Sequence, residues 1–235
     1  MKNYLLGFGT VLLGTGLILS SCSKDESTAD GNLSYKVKPA NFTASVGSTV
    51  SGSGLVVNVN TNSSLTWTSG NMYVSEIDFE AKKNKVEIEY ELKNLFNIDL
   101  FNLSPVLGKI TLPDGTYDEV ELKFKLNKST TANLPLTLKG TYTNATGAKI
   151  PVEFYFNEEV EIEVEAEDLT VSGTTDYLAL INVQLNKFLT NVASADLDEA
   201  TKTNGSIVIS STSNMSLYNK LKSNLNAFGD CDFED

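Results

Sequence analysis

Val86-Glu87-Ile88-Glu89-Tyr90-Glu91-Leu92 alternates apolar and acidic residues without a fault. Successive side chains of a strand point to opposite faces, so this stretch has one dry face and one wet face. A helix would scatter the same residues around its axis. The pattern recurs twice downstream. Val120-Glu121-Leu122-Lys123-Phe124-Lys125-Leu126 turns one acid and two lysines outward, and Val160-Glu161-Ile162-Glu163-Val164-Glu165-Ala166 repeats the acidic version. One-sided burial of this kind belongs to antiparallel sheets packed face to face. Less regular runs extend the series at Leu55 to Val59, Leu65 to Thr68, Tyr73 to Glu80, Leu134 to Tyr142, Val152 to Phe156 and Ile207 to Ser210. Turn residues separate the runs at Pro113-Asp114-Gly115, Thr146-Gly147, Ser172-Gly173 and Asn204-Gly205. The expected fold is an all-β antiparallel sandwich.

Helix is expected in one place near the end. Leu217, Leu221 and Leu225 recur every four residues, with Tyr218 and Phe228 beside the stripe. Ser213 or Asn214 is placed to cap its start, and Gly229 to end it in a left-handed conformation. This predicts a short C-terminal helix from about residue 215 to 227. Tyr177 to Val192 fits both periods; a strand to about Asn186 and a helical turn from Lys187 to Val192 is the expectation.

The 235 residues carry 30 Asp plus Glu against 18 lysines, a formal charge of −12, with neither Arg nor His anywhere. An acidic surface of this kind excludes nucleic acid as a partner. Lack of His and Arg removes Ser-His-Asp, Cys-His, His-metal and arginine-finger chemistry. Paired carboxylates are the remaining enzymatic route, and a glycosidase needs two of them about 5 to 9.5 Å apart across a cleft. Among 30 acids some pair meets that distance by chance, and Glu residues alternating along strands point to solvation. No catalytic residue and no cofactor are expected. Zinc and copper lack ligands here. Asp196-Leu197-Asp198-Glu199 starts like a calcium loop but continues with Ala200 and Thr201, so a solvated loop without metal is expected. Trp67, the only Trp, shares a strand face with Leu65 and is expected in the core.

The first residues are of another kind. Lys2 precedes an apolar run from Leu5 to Leu19 that is diluted by four glycines. Fifteen residues make about 22 Å of helix, short of the roughly 30 Å hydrocarbon core, so residues 1–21 read as a signal peptide. Leu19-Ser20-Ser21-Cys22 resembles the lipobox of bacterial lipoproteins, which implies cleavage before Cys22 and acylation of Cys22. Several acyl chains then give firm membrane anchoring. Lys24-Asp25-Glu26 resembles the acidic export signal of Bacteroidetes lipoproteins, implying an outer-membrane lipoprotein that faces the cell exterior. Residues 22–32 are expected as acylated Cys plus flexible tether, 33–228 as one sandwich domain, and 229–235 as a disordered acidic tail. With Cys22 acylated, Cys231 has no partner within the chain, and the surrounding carboxylates should raise its pKa.

Ile110-Thr111-Leu112-Pro113-Asp114-Gly115-Thr116-Tyr117-Asp118-Glu119-Val120 resembles the strand, Pro-x-Gly-x-Tyr, strand motif of small lipoprotein domains such as the DUF4382 family, whose function is unknown. Ile98 to Leu103 and Ile207 to Ser210, followed by Asn214 and Tyr218, fit the same pattern. The resemblance implies a prealbumin-like or immunoglobulin-like sandwich on the cell envelope. Tyr117 is out of step with Val120, Leu122 and Phe124, and reaches the core only if the strand is interrupted. Together these readings describe a surface-exposed, lipid-anchored binding or adhesin-like module for a glycan or protein partner. The alternatives are an accessory lipoprotein of an envelope complex and a carboxylate-dependent hydrolase. A final expectation concerns the acidic strands: the Lys123-Lys125 strand should pair with at least one of them, because like charges directly opposite repel.

Overall fold

The computed structural model describes residues 30–47, 63–166, 168–173, 175–227 and 229–234. In chain order the first strands are β1 (Asp30–Ala40), β2 (Thr43–Ser45), β3 (Ser64–Lys83), β4 (Val86–Asp99), β5 (Gly108–Pro113), β6 (Gly115–Tyr117) and β7 (Glu119–Leu126). There follow β8 (Leu136–Thr143), β9 (Lys149–Phe156), β10 (Val160–Ala166), β11 (Leu169–Val171) and β12 (Asp176–Gln184). A 3₁₀ turn (Lys187–Leu189), helix α1 (Ser194–Asp198), β13 (Lys202–Thr203) and β14 (Ser206–Ile209) lead to helix α2 (Met215–Ser223). A second 3₁₀ turn (Leu225–Ala227) and β15 (Gly229–Glu234) complete the described chain. The fold is an all-β sandwich with a short C-terminal helix.

One sheet runs β15-β12-β1-β5. The larger sheet runs β10-β7-β3-β8-β9-β14-β13, with β2 and β4 on the other side of β3. The two sheets meet over Val37, Ile181 and Val183 on one side and Met72, Phe124, Ile162 and Val164 on the other. Past this contact the larger sheet carries a second packing layer. Phe188 stands edge-on to Phe154 at 5.1 Å and tilted to Trp67 at 6.3 Å, and Tyr218 of α2 stacks on Phe154 at 5.9 Å. Trp67 is therefore core, 1 % exposed.

The long β3 unites two runs that read separately in the sequence. Bulges between Trp67 and Ser69 and between Val74 and Glu76 each shift the pairing register. An extra residue reverses which alternate side chains face inward, so a continuous strand reads as two broken ones. Along one edge β3 pairs with β8 over its first half and with β7 over its second.

Several boundaries differ from expectation. Asp30 to Asn32, expected in the tether, belong to β1: Asp30 pairs with Pro113 and Asn32 with Asp176. Residues 229–234 are not a disordered tail but β15, paired antiparallel to β12. Cys231 and Phe233 pack on the core while Asp232 faces out, an alternation that the high acidity obscures. Gly229 starts this strand instead of capping a helix. The ladders are not all antiparallel, since β1 with β12 and β9 with β14 run parallel. Each parallel pair is joined by a long crossover, as that geometry requires. Asp196 to Asp198 lie in α1 and not in a solvated loop; Asp196 accepts the Ala193 N–H at 2.8 Å and pairs with Lys220 at 2.6 Å. Asn214 starts α2 at φ 51°, yet its side chain ties Thr201 and Val208 instead of capping. Tyr117 does reach the core: β6 ends there, Asp118 interrupts the strand, and the Tyr117 hydroxyl donates to the Pro113 carbonyl at 2.6 Å. The expected strand from Leu55 to Val59 lies outside the described residues.

Candidate binding cleft between two free sheet edges

The β3–β4 hairpin turns on Asn84 and Lys85, both with positive φ (51° and 66°). Two such residues make the tight turn whose twist suits a hairpin, and they set the register Lys83 to Val86. That register puts Ile88, Tyr90 and Leu92 on the same face as Ala81, Phe79 and Ile77. The β3 residues are buried, whereas Tyr90 is 37 % exposed and Ile88 and Leu92 are half-buried. The difference arises because β4 and β5 are the outermost strands of their sheets on this side. Among the described residues each pairs with one neighbour only, β4 with β3 and β5 with β1.

Between them lies a cleft of about 340 Å³. Its wall from the larger sheet is Ile77, Phe79, Tyr90, Leu92 and Phe96; the opposite wall is Tyr35, Leu107, Gly108 and Ile110. Glu91, Asn94 and Lys109 form the polar rim. Tyr35 is 2 % exposed, and burial pushes its phenol up to about 12. Its hydroxyl fits against Gly108, where any side chain would occupy the same space. Tyr90 spans the mouth, donating from its hydroxyl to the Thr111 carbonyl of β5 at 2.8 Å. An apolar floor with a few polar groups at the rim suits the binding of a ligand or side chains.

The outer face of β4, β3, β7 and β10 is a grid of charges. β7 pairs with β10, setting Lys125 against Glu161 and Lys123 against Glu163, so the lysine strand does meet an acidic one. The other acidic strand, β4, is separated from β7 by β3. One row is acidic throughout: Glu89, Glu80, Glu121 and Glu165 are successive cross-strand neighbours. Lys123 relieves it from the adjacent row, reaching Glu80 at 2.6 Å and Glu121 at 3.0 Å. Burial pulls the Lys123 pKa down, but hydrogen bonds to these two carboxylates outweigh it and raise the pKa overall. Lys125 is raised by Asp78, 2.6 Å away, and by Glu76. Glu76 is lowered in return, chiefly by its hydrogen bond to Lys125.

Among the described residues two sets of carboxylates come close enough to share a cation, Glu76-Asp78-Glu91 and Glu121-Glu163-Glu165. Lysine ammonium groups already meet the first through Lys93 and Lys125, and the second through Lys123. Glu163 is in neither ion pair of Lys123. Its pKa is raised by burial and then by Glu121.

Cys22, Lys24, Asp25 and Glu26 lie outside the described residues. Cys231, half-buried in β15, has its thiol pushed up to about 12, by burial first and by Asp232 and Asp230 second. Sequence reading did not single out Tyr35, Tyr90 or Gly108. Tyr90 occupies an apolar position of the alternating run, which gave it the appearance of a core residue. Comparison with known proteins finds no matching family model, no matching curated protein and no matching solved structure.

Proposed function

We propose that this chain is a non-catalytic, lipid-anchored binding module, tethered to the outer membrane through acyl chains on Cys22 and facing the cell exterior. Its partner, a glycan or a protein, would be engaged at the open side of the sandwich. The observation that carries this reading is the cleft between β4 and β5, apolar and aromatic inside and flanked by two free strand edges. Glu91 is the one carboxylate among its lining residues, and it is ion-paired with Lys93, so the cleft offers no acid/base pair for a hydrolase. The lipobox-like and export-signal-like residues support the address, and the β-sandwich suits the DUF4382-like pattern without specifying a reaction.

A second reading, an accessory lipoprotein that joins an envelope complex, is favoured by the length of β4, 14 residues with a single partner strand among the described residues. Both readings place contact at the same side. A photo-crosslinking residue at Leu92 should form adducts on intact cells, and one at Met215, 58 % exposed on α2, should not. Equal adducts at both positions would refute the cleft as the contact site. Cys22→Ala should release the protein from membranes; continued fractionation with the outer membrane would refute the anchor.

A further inference from the structure

Glu87, Glu89 and Glu91 present more than a charged face. In a hairpin closed by a two-residue turn, the flanking pair Lys83 and Val86 exchanges both main-chain hydrogen bonds, and bonded and non-bonded pairs alternate from there. Ile88, Tyr90 and Leu92 thus turn their N–H and C=O groups toward β3. Glu87, Glu89 and Glu91 turn theirs toward the side that no described strand pairs with. The edge therefore offers regularly spaced donors and acceptors, with an acidic row on one face and Ile88, Tyr90, Leu92 and the cleft on the other.

We propose that β4 is a docking edge for an extended segment of another protein chain in which basic and apolar residues alternate. The proposal rests on the binding-module reading and names the chemistry of the partner. A strand added at the usual spacing of about 4.8 Å sets alternate side chains beside the Glu row, where cations are favoured and acids repelled. The intervening side chains lie beside Tyr90 and Leu92, where the cleft of about 340 Å³ takes apolar groups. Main-chain bonds would provide affinity, and the two faces specificity. A second copy of this chain fits poorly, because antiparallel pairing of β4 with β4 sets one Glu row against the other.

The test uses the full-length chain in detergent and a labelled synthetic peptide of alternating Lys and Val. Binding is followed by fluorescence anisotropy. Controls are the same peptide with Glu in place of Lys, and one N-methylated at alternate amides so that it cannot extend a sheet. The Lys peptide should bind, weaken as salt rises, and outcompete both controls. Glu89→Pro removes an outward N–H without removing a bond to β3, and should weaken binding by about tenfold or more at an unchanged melting temperature. Should that variant fail to fold, the N-methylated peptide on the wild type decides alone. Equal binding of the N-methylated peptide would mean adsorption to the acidic face and would overturn strand addition. Equal binding of the Glu peptide, or a wild-type dimer that Glu89→Pro converts to monomer, would overturn the stated partner. No peptide binding, with glycan-array binding that Tyr90→Ala abolishes, would overturn this inference and leave the binding module standing. Failure of every probe together with the crosslinking test would overturn both.

Discussion

The two long sides of the sandwich are built from the same kind of strand and end differently. On one side β10 approaches β15, and the seam closes because Gly229 has no side chain. A Cβ there would stand 2.8 Å from Val164 Cγ2. On the other side β4 and β5 flank a cleft, where the Tyr35 hydroxyl of β1 is seated at its strand neighbour Gly108 and Tyr90 reaches across to Thr111. Both sides spend a glycine on close approach. At Gly229 the approaching group is Val164 of the opposite sheet; at Gly108 it is Tyr35 of the neighbouring strand together with Leu92 of the opposite sheet. Ile162 and Val164 of β10 are consequently buried, while Ile88, Tyr90 and Leu92 of β4 remain partly wet.

The largest expected effect is an asymmetry between equivalent truncations. Ile162→Ala on the closed side should cost about 2 to 5 kcal/mol, as for a fully buried aliphatic residue. Leu92→Ala on the open side should cost about 1 kcal/mol or less, because its surroundings are already solvated. Chemical denaturation of the two variants measures this; similar losses would mean that the cleft is closed in solution. Gly229→Ala should follow at about 1 to 3 kcal/mol, because Val164 must yield. No loss there would show that the seam has slack.

The acidic row joins the two sides, from Glu89 on β4 to Glu165 on β10. Lys123→Met should cost about 1 to 3 kcal/mol at neutral pH, since Glu80 and Glu121 lose their shared cation. The folded state raises the Lys123 pKa above its ordinary 10.5. Its contribution is therefore complete below that value and lost only as pH rises through the elevated one. The smallest effect belongs to Glu163. Its raised pKa means that folding favours the neutral form, so this carboxyl weakens stability as pH rises through its folded pKa. Glu163→Gln should gain a few tenths of a kcal/mol at pH 7 and nothing at pH 4. A loss at pH 7 would show that the carboxylate is favourably partnered.

Legibility followed the range of the interaction. The strands with strict alternation, β4, β7 and β10, were readable because their period is local and unbroken. β3 was read as two strands because its bulges change the phase, and β15 as a tail because acidity masked its alternation. The pairing of β7 with β10 was legible from charge, because repulsion between like-charged neighbours limits the choices. Charge did not anticipate the four-acid row, which depends on the register of three pairings at once. The cleft was not legible at all: Tyr35, Tyr90 and Gly108 are 73 residues apart at the extremes and meet only through pairings between distant strands.

By itself the sequence determined the all-β class, the short C-terminal helix, the inward and outward faces of the best strands, and the classes of chemistry that lack residues. Those properties depend on side-chain period and residue type, which are written along the chain. Tertiary structure alone decided which strands became edges, where the sheets closed and where they stayed apart. Edge status is the lack of a neighbour, and neighbours are chosen by long-range pairing and packing across the whole sandwich. No local run of residues encodes that choice.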